Sequence, residues 1–196
     1  EADLRRFSWT LQSGVTYEGQ TVTMTEDIEM STGFTLGDSI DTFKGTFDGG
    51  GHTLTVRDFN VSGSADERAL FQRNQGVIQN LKMEVEPGLQ VALCYWNDGG
   101  TISGCAVEGS GNVVLTCRSG LVENCVLSGG DSVDAANVET LYDQAIGGIV
   151  SSAGDGTVIR NCTVEEDVTI RGWLYAGGIV GIVNPTSAGD AVTIEN

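Results

Sequence analysis

The residue types in this sequence most able to do chemistry are five cysteines, one histidine and a surplus of carboxylates. The cysteines are Cys94, Cys105, Cys117, Cys125 and Cys162. An odd number cannot pair completely, and none stands in a Cys-x-x-Cys pair, so neither a full disulfide framework nor a redox motif is implied. His52 is the only histidine, which leaves zinc-ligand spacing absent; no metal and no other cofactor is expected. A nucleophilic triad lacks support for the same reason, and no Gly-x-Ser-x-Gly elbow is present. Asp48 and His52 flank a glycine run and would act as an acid–base pair only if they converged beside a cleft. The expectation is a turn aspartate and an ordinary strand residue. A sugar-cleaving site could draw on Asp98, Glu123, Glu165, Glu166 and Asp167, with Arg118 and Arg160 as partners. Their spacing forms no constellation, and Glu165-Glu166-Asp167 reads as a solvated turn rather than a calcium site.

Two sets of residues remain. Asn80, Asn124, Asn161 and Asn196 recur at matched positions, and three matched positions carry Cys105, Cys125 and Cys162. The expected role is architectural. The asparagines would stack as a ladder at a turn, their side chains satisfying backbone groups, and the cysteines would point inward as small hydrophobes. A reactive thiol would need an electropositive, partly exposed setting. The second set is aromatic: Tyr95, Trp96, Trp173 and Tyr175 sit near turns, where exposed rings can stack on sugars or anchor a partner. They are the speculative binding residues; no catalytic residue is assigned.

The elements that must position these residues are short and repeated. Val77-Ile78-Gln79-Asn80-Leu81, Thr101-Ile102-Ser103-Gly104-Cys105, Leu121-Val122-Glu123-Asn124-Cys125, Val158-Ile159-Arg160-Asn161-Cys162 and Thr193-Ile194-Glu195-Asn196 resemble one another. Their second apolar residues, at 78, 102, 122, 159 and 194, are 24, 20, 37 and 35 residues apart. The first two intervals fit one coil of a β-solenoid, and the longer two predict a loop inserted into each coil. An apolar run of strand length precedes each signature, for example Val91-Ala92-Leu93-Cys94 and Ala176-Gly177-Gly178-Ile179-Val180. Turns are expected between the two at Asn97-Asp98-Gly99-Gly100, Ser119-Gly120 and Ala153-Gly154-Asp155-Gly156. One unit cannot bury its apolar face alone; stacked units share a core. The stretches Gly111 to Leu121 and Asp131 to Gln144 depart from the pattern. At the other end, Leu4, Phe7 and Leu11 have helical spacing with Gly14 beyond as a stop, predicting a short helix that covers the open end of the stack.

Composition agrees with that architecture. There are 28 Gly and 2 Pro, suiting many turns and unbroken ladders. The net charge is −17, with two lysines, Lys44 and Lys82. Such a surface repels phosphates and anionic lipid, so nucleic acid and membranes are rejected as partners. No apolar run is long enough to span a bilayer.

At this point the residues resemble a known family. Phe43-Lys44-Gly45-Thr46-Phe47-Asp48-Gly49-Gly50-Gly51-His52-Thr53-Leu54 is similar to the opening of bacterial surface proteins with GLUG-type repeats, and Tyr17 to Ile28 to their lead-in. Ala69-Leu70-Phe71, Ile78-Gln79-Asn80-Leu81 and Ala176-Gly177-Gly178-Ile179-Val180-Gly181 resemble their later elements. The resemblance runs from about Tyr17 to Asn196. It implies an all-β, right-handed parallel β-helix or β-solenoid module with irregular coils, found in secreted or wall-anchored bacterial proteins. The expected organisation is a single domain over 1–196: a helical cap at 1–15, first coils at 16–68 and repeats at 69–196. The chain reads as a fragment of a longer protein. The expected function is non-catalytic and extracellular, in adhesion, glycan binding or spacing. Host or bacterial glycans or surface proteins would be the partners, and the chain would be a monomer. The alternative is a polysaccharide lyase or glycoside hydrolase on the same scaffold.

Overall fold

A computed structural model describes residues 1–38, 40–59, 69–129, 132–134, 145–172, 174–184 and 191–195. One helix, α1 (Ala2–Gln12), precedes a succession of short strands, and every described strand pair is parallel. This is an all-β, parallel β-helix-like fold.

The first sheet stacks β1 (Thr21–Thr23), β3 (Thr46–Asp48), β6 (Val77–Gln79) and the second halves of β8 (Ala92–Ser103) and β10 (Val114–Glu123). β15 (Thr157–Arg160) and β20 (Thr193–Glu195) continue it. Its register aligns Phe47 with Ile78, Ile102, Val122, Ile159 and Ile194. The signature residues of the sequence are therefore one column. Its members from Phe47 to Ile159 are at most 1% exposed. Alternation across each strand turns this position inward, and each coil covers the apolar side chain of the next.

A second sheet runs β2 (Ile28–Met30), β4 (Thr53–Val56), β7 (Lys82–Val85), β9 (Ala106–Glu108), β11 (Val126–Ser128) and β16 (Thr163–Val164). It buries Leu54, Met83, Val107 and Leu127 in register. The remaining face is formed by β5 (Ala69–Asn74), the first halves of β8 and β10, β14 (Val150–Ala153) and β19 (Val180–Val183).

Two sequence expectations change. Neither Asn97-Asp98-Gly99-Gly100 nor Ser119-Gly120 breaks the chain into two strands; β8 and β10 run through them, and β10 also occupies most of the stretch that departed from the repeat pattern. Gly99 (φ 93°) and Gly120 (φ 102°) bend the backbone in a region closed to most side chains, while register shifts at Ser119 absorb the corner. The ladder between β8 and β10 thus continues around the bend, while β5 and β6 on one side and β14 and β15 on the other are separate strands. Ala153-Gly154-Asp155-Gly156 does separate two strands. The long coils, in turn, hold more than inserted loops. They add β12 (Ser132–Asp134) paired with β17 (Thr169–Arg171), and β13 (Ala145–Gly147) paired with β18 (Tyr175–Gly177). Matching extra strands in adjacent coils satisfy each other's backbone groups, which a loop could not do.

The helix buries Leu4, Phe7 and Leu11. Phe7 meets Tyr17, Phe43 and Phe47 at centroid distances of 4.9, 5.8 and 5.7 Å, closing the aromatic core of the first coils. In β20, by contrast, Ile194 is 48% exposed.

Candidate functional site

The Asn–Cys row lies where the chain turns from the first sheet to the second. Asn80, Asn124 and Asn161 adopt φ of 52°, 53° and 51°, and Gly104 fills the same position at 62°. All three asparagines are exposed. The turn needs a left-handed residue, which glycine and asparagine adopt at least cost. Backbone conformation, rather than a side-chain ladder, thus sets the residue type. One hydrogen bond links such a side chain across coils: Asn80 Nδ2 donates to Asp48 Oδ1 at 3.1 Å. Asn196 lies outside the described residues.

The next residue of each turn points inward. Cys105, Cys125 and Cys162 are buried, and none of the five cysteines is in a disulfide. Cys105, Cys125 and Cys162 lie 3.7–3.8 Å from the carbonyl oxygens of Ile78, Ile102 and Val122 in the coil before. Contact with Cys105 raises the Cys125 thiol pKa, contact with Cys125 raises that of Cys162, and burial raises those of Cys94 and Cys117. These thiols are held in their protonated, unreactive form.

A buried asparagine pair that the sequence did not reveal sits elsewhere. Asn74 and Asn97 pair in register and are fully buried. Asn74 Nδ2 donates to Asn97 Oδ1 (2.8 Å), and Asn97 Nδ2 donates to the Gly100 carbonyl (3.0 Å). They close the corner that Gly99 bends. Neither belongs to the recurring signature, so spacing gave no signal.

Asp48 and His52 do not converge. Asp48 accepts from the Gly50 backbone N–H (2.9 Å), Gln79 and Asn80, which lower its pKa. His52 Nδ1 lies 3.3 Å from Asp27. Other carboxylates are tied across coils. Glu123 accepts from Arg160 Nε (2.8 Å) and Ser103 Oγ (3.2 Å). Lys82 bridges Glu84 (2.9 Å) and Glu108 (3.0 Å), and Arg57 bridges Glu29 and Glu86. Arg57, Glu84, Glu86 and Glu108 border a cavity of about 220 Å³ with Thr55, Val85, Pro87, Gly109 and Gly129. Glu165, Glu166 and Asp167 follow β16 and border a separate, open hollow with Thr163 and Val164. Among the described residues, no three His, Cys, Asp or Glu are arranged to hold a metal ion.

The strongest candidate surface surrounds Trp96. Tyr95 meets it edge-on at 4.7 Å. Trp96 pairs in register with Arg73 of β5, and the Arg118 guanidinium from β10 lies 4.7 Å from its ring centroid. β5 and β10 both pair with β8, so three successive coils contribute to the group. Asp98 joins them: its Oδ2 accepts from Arg73 Nε at 2.6 Å and lies 3.7 Å from Arg118. Its side chain is 10% exposed, and its buried Oδ1 has no hydrogen-bond partner among the described residues. Tyr95 and Trp96 are half-buried. Tyr175 is 50% exposed on β18, in a different sheet from Trp96, and Trp173 lies outside the described residues. Arg73 was missed by sequence reasoning because only the parallel register brings it beside residues over twenty positions away.

Residues 142–169 match the model of the GLUG motif. Within that span lie β13, β14, β15, the left-handed turn at Asn161, the buried Cys162 and β16, which together make most of one coil. No curated protein and no solved structure matches the chain.

Proposed function

From a β-helix-like scaffold carrying a GLUG motif, we propose that this chain is a non-catalytic module of a bacterial secreted or cell-surface protein that holds glycans or surface proteins, and sets their distance, along a stiff stack of coils. The observation that supports this most is the Tyr95–Trp96 pair with Arg73, Arg118 and Asp98, assembled from three coils. Aromatic rings beside charge-bearing donors and a carboxylate acceptor are a surface suited to sugars. Successive coils share one core and one hydrogen-bond ladder, so the spacing of groups along the stack is fixed. Glu29, Glu86, Glu108 and Glu123 are paired with cations across coils, an arrangement that favours rigidity over proton transfer.

Binding of the intact chain to a glycan array and to mucin-coated surfaces tests this reading. Selective binding that is lost on Trp96→Ala supports it; binding unchanged by that variant refutes the placement of the surface. A second reading rests on the cavity lined by Arg57, Glu84, Glu86 and Glu108, where a polysaccharide lyase or hydrolase would place its chain. Release of reducing ends or unsaturated sugars from acidic or neutral polysaccharides, with or without calcium, would establish that reading instead.

A further inference from the structure

We propose that Arg118 is the receptor for a single carboxylate on an acidic sugar, a conclusion that rests on the glycan-binding reading and names its ligand class. The guanidinium carbon lies over the Trp96 ring, 4.7 Å from its centroid, and the side chain is half exposed. Its nearest described carboxylate, Asp98, is 3.7 Å away, outside hydrogen-bond reach. Arg57 and Arg160 are different: each donates a hydrogen bond to a glutamate. Arg118 thus sits against an aromatic ring and, among the described residues, lacks the acceptor that its planar fork matches, which is a carboxylate taken bidentately.

Asp98 supplies the second observation. It is nine-tenths buried, Arg73 holds one oxygen, and the other has no hydrogen bond among the described residues. An unpaired buried carboxylate oxygen is a costly arrangement unless a donor arrives. Oδ1 is closed to solvent, beside the Oδ2 that Arg73 holds and that lies 3.7 Å from Arg118. A sugar acid carries both partners on one ring: a carboxylate for Arg118 and, beside it, a hydroxyl for Asp98. Tyr95 and Trp96 offer apolar surface for its C–H face.

Charge narrows the ligand further. Arg73 and Arg118 against Asp98 leave the cluster with a surplus of one positive charge, in a chain of net charge −17. A single anion is attracted at contact distance, whereas a polyanion is repelled by the whole surface. The ligand is therefore a glycan end with one carboxylate, not a polyuronate.

The test is NMR titration of the full chain, following the Trp96 indole N–H and the Arg118 Nε–H. The probes are methyl glucuronide, methyl glucoside, acetate and triglycine. The glucuronide is expected to shift both signals and to bind about tenfold or more tightly than the glucoside. It should also bind more tightly than acetate and triglycine, and lose affinity as salt rises. Arg118→Gln, which keeps a planar polar end, and Arg118→Lys, which keeps the charge without the fork, should both lose binding; an unchanged melting temperature shows that each is folded. Equal binding of glucuronide and glucoside overturns the proposal, as does tighter binding of triglycine or full affinity in Arg118→Gln. If the glucoside alone shifts Trp96, the acidic ligand is wrong and the glycan reading stands. If no sugar shifts either signal, both fail at this surface.

Discussion

Substitutions at the turn between the first two sheets separate two accounts of the recurring asparagine. If the left-handed backbone sets the residue type, the Cβ atom is what costs energy at φ of about 50°, roughly 1–2 kcal/mol for most L-residues and less for asparagine. Asn124→Ala should therefore destabilise by about 1 kcal/mol. Asn124→Gly should stay within about 0.5 kcal/mol of the parent, because relief of strain is offset by the greater entropy of the unfolded chain. At Asn80 the side chain also donates to Asp48 at 3.1 Å, so Asn80→Ala should cost about 0.5 kcal/mol more than Asn124→Ala. Gly104 supplies the converse case at φ 62°: Gly104→Ala should cost about 1–2 kcal/mol, and Gly104→Asn distinctly less. Urea unfolding followed by circular dichroism reads these values. With an m of about 2 kcal/mol/M, a 1 kcal/mol loss moves the midpoint by about 0.5 M. The reasoning is refuted if Asn124→Gly costs as much as Asn124→Ala, because the side chain rather than φ would then carry the position.

Burial of all five cysteines, with raised thiol pKa values at Cys94, Cys117, Cys125 and Cys162, predicts that they are inert to an aromatic disulfide reagent in the native protein and react fully in denaturant; rapid reaction of any thiol without unfolding contradicts the packing. Asn97→Leu removes the acceptor of Asn74 and a donor to the Gly100 carbonyl, and should destabilise by about 2 kcal/mol or more, whereas Asn124→Leu, on the exposed turn, lacks this buried component; calorimetry distinguishes the two. Stability should also fall at both ends of the pH range. Glu1 is lowered to about 2 by Thr32 and Arg5, Asp27 is lowered by the Thr53 N–H, and Asp48 by the Gly50 N–H. Their stabilisation is complete above the unfolded values near 4 and is lost as pH falls toward 2. Raised thiols act in the opposite sense: they stabilise below the unfolded value near 9, and that stabilisation is lost as pH rises above it. Melting temperatures from pH 2 to 11 should show a plateau between about 5 and 8.5, and a flat profile through pH 10 would count against thiol burial.

Much of the architecture was legible because the core of a stacked fold is periodic. The apolar residue that recurs at 78, 102, 122, 159 and 194 is the column found in the first sheet, and its spacing is the register. Leu4, Phe7 and Leu11 likewise marked a helix by spacing alone. The chain's continuity through Gly99 and Gly120 was not legible. A glycine cluster signals positive φ, and positive φ serves a turn or a bend equally; the pairing of the two bent strands β8 and β10 with each other decided for the bend.

The sequence by itself thus determined the repeat, the inward column and the helical cap, since these follow from local periodicity. Tertiary structure alone decided that Asn74 meets Asn97, that Arg73 and Arg118 converge on Trp96 and Asp98, and that the long coils pair their extra strands. The physical reason is the same in each case. These contacts join residues some 20 to 37 positions apart through the parallel register, and outward or corner side chains carry no period that would announce their neighbours.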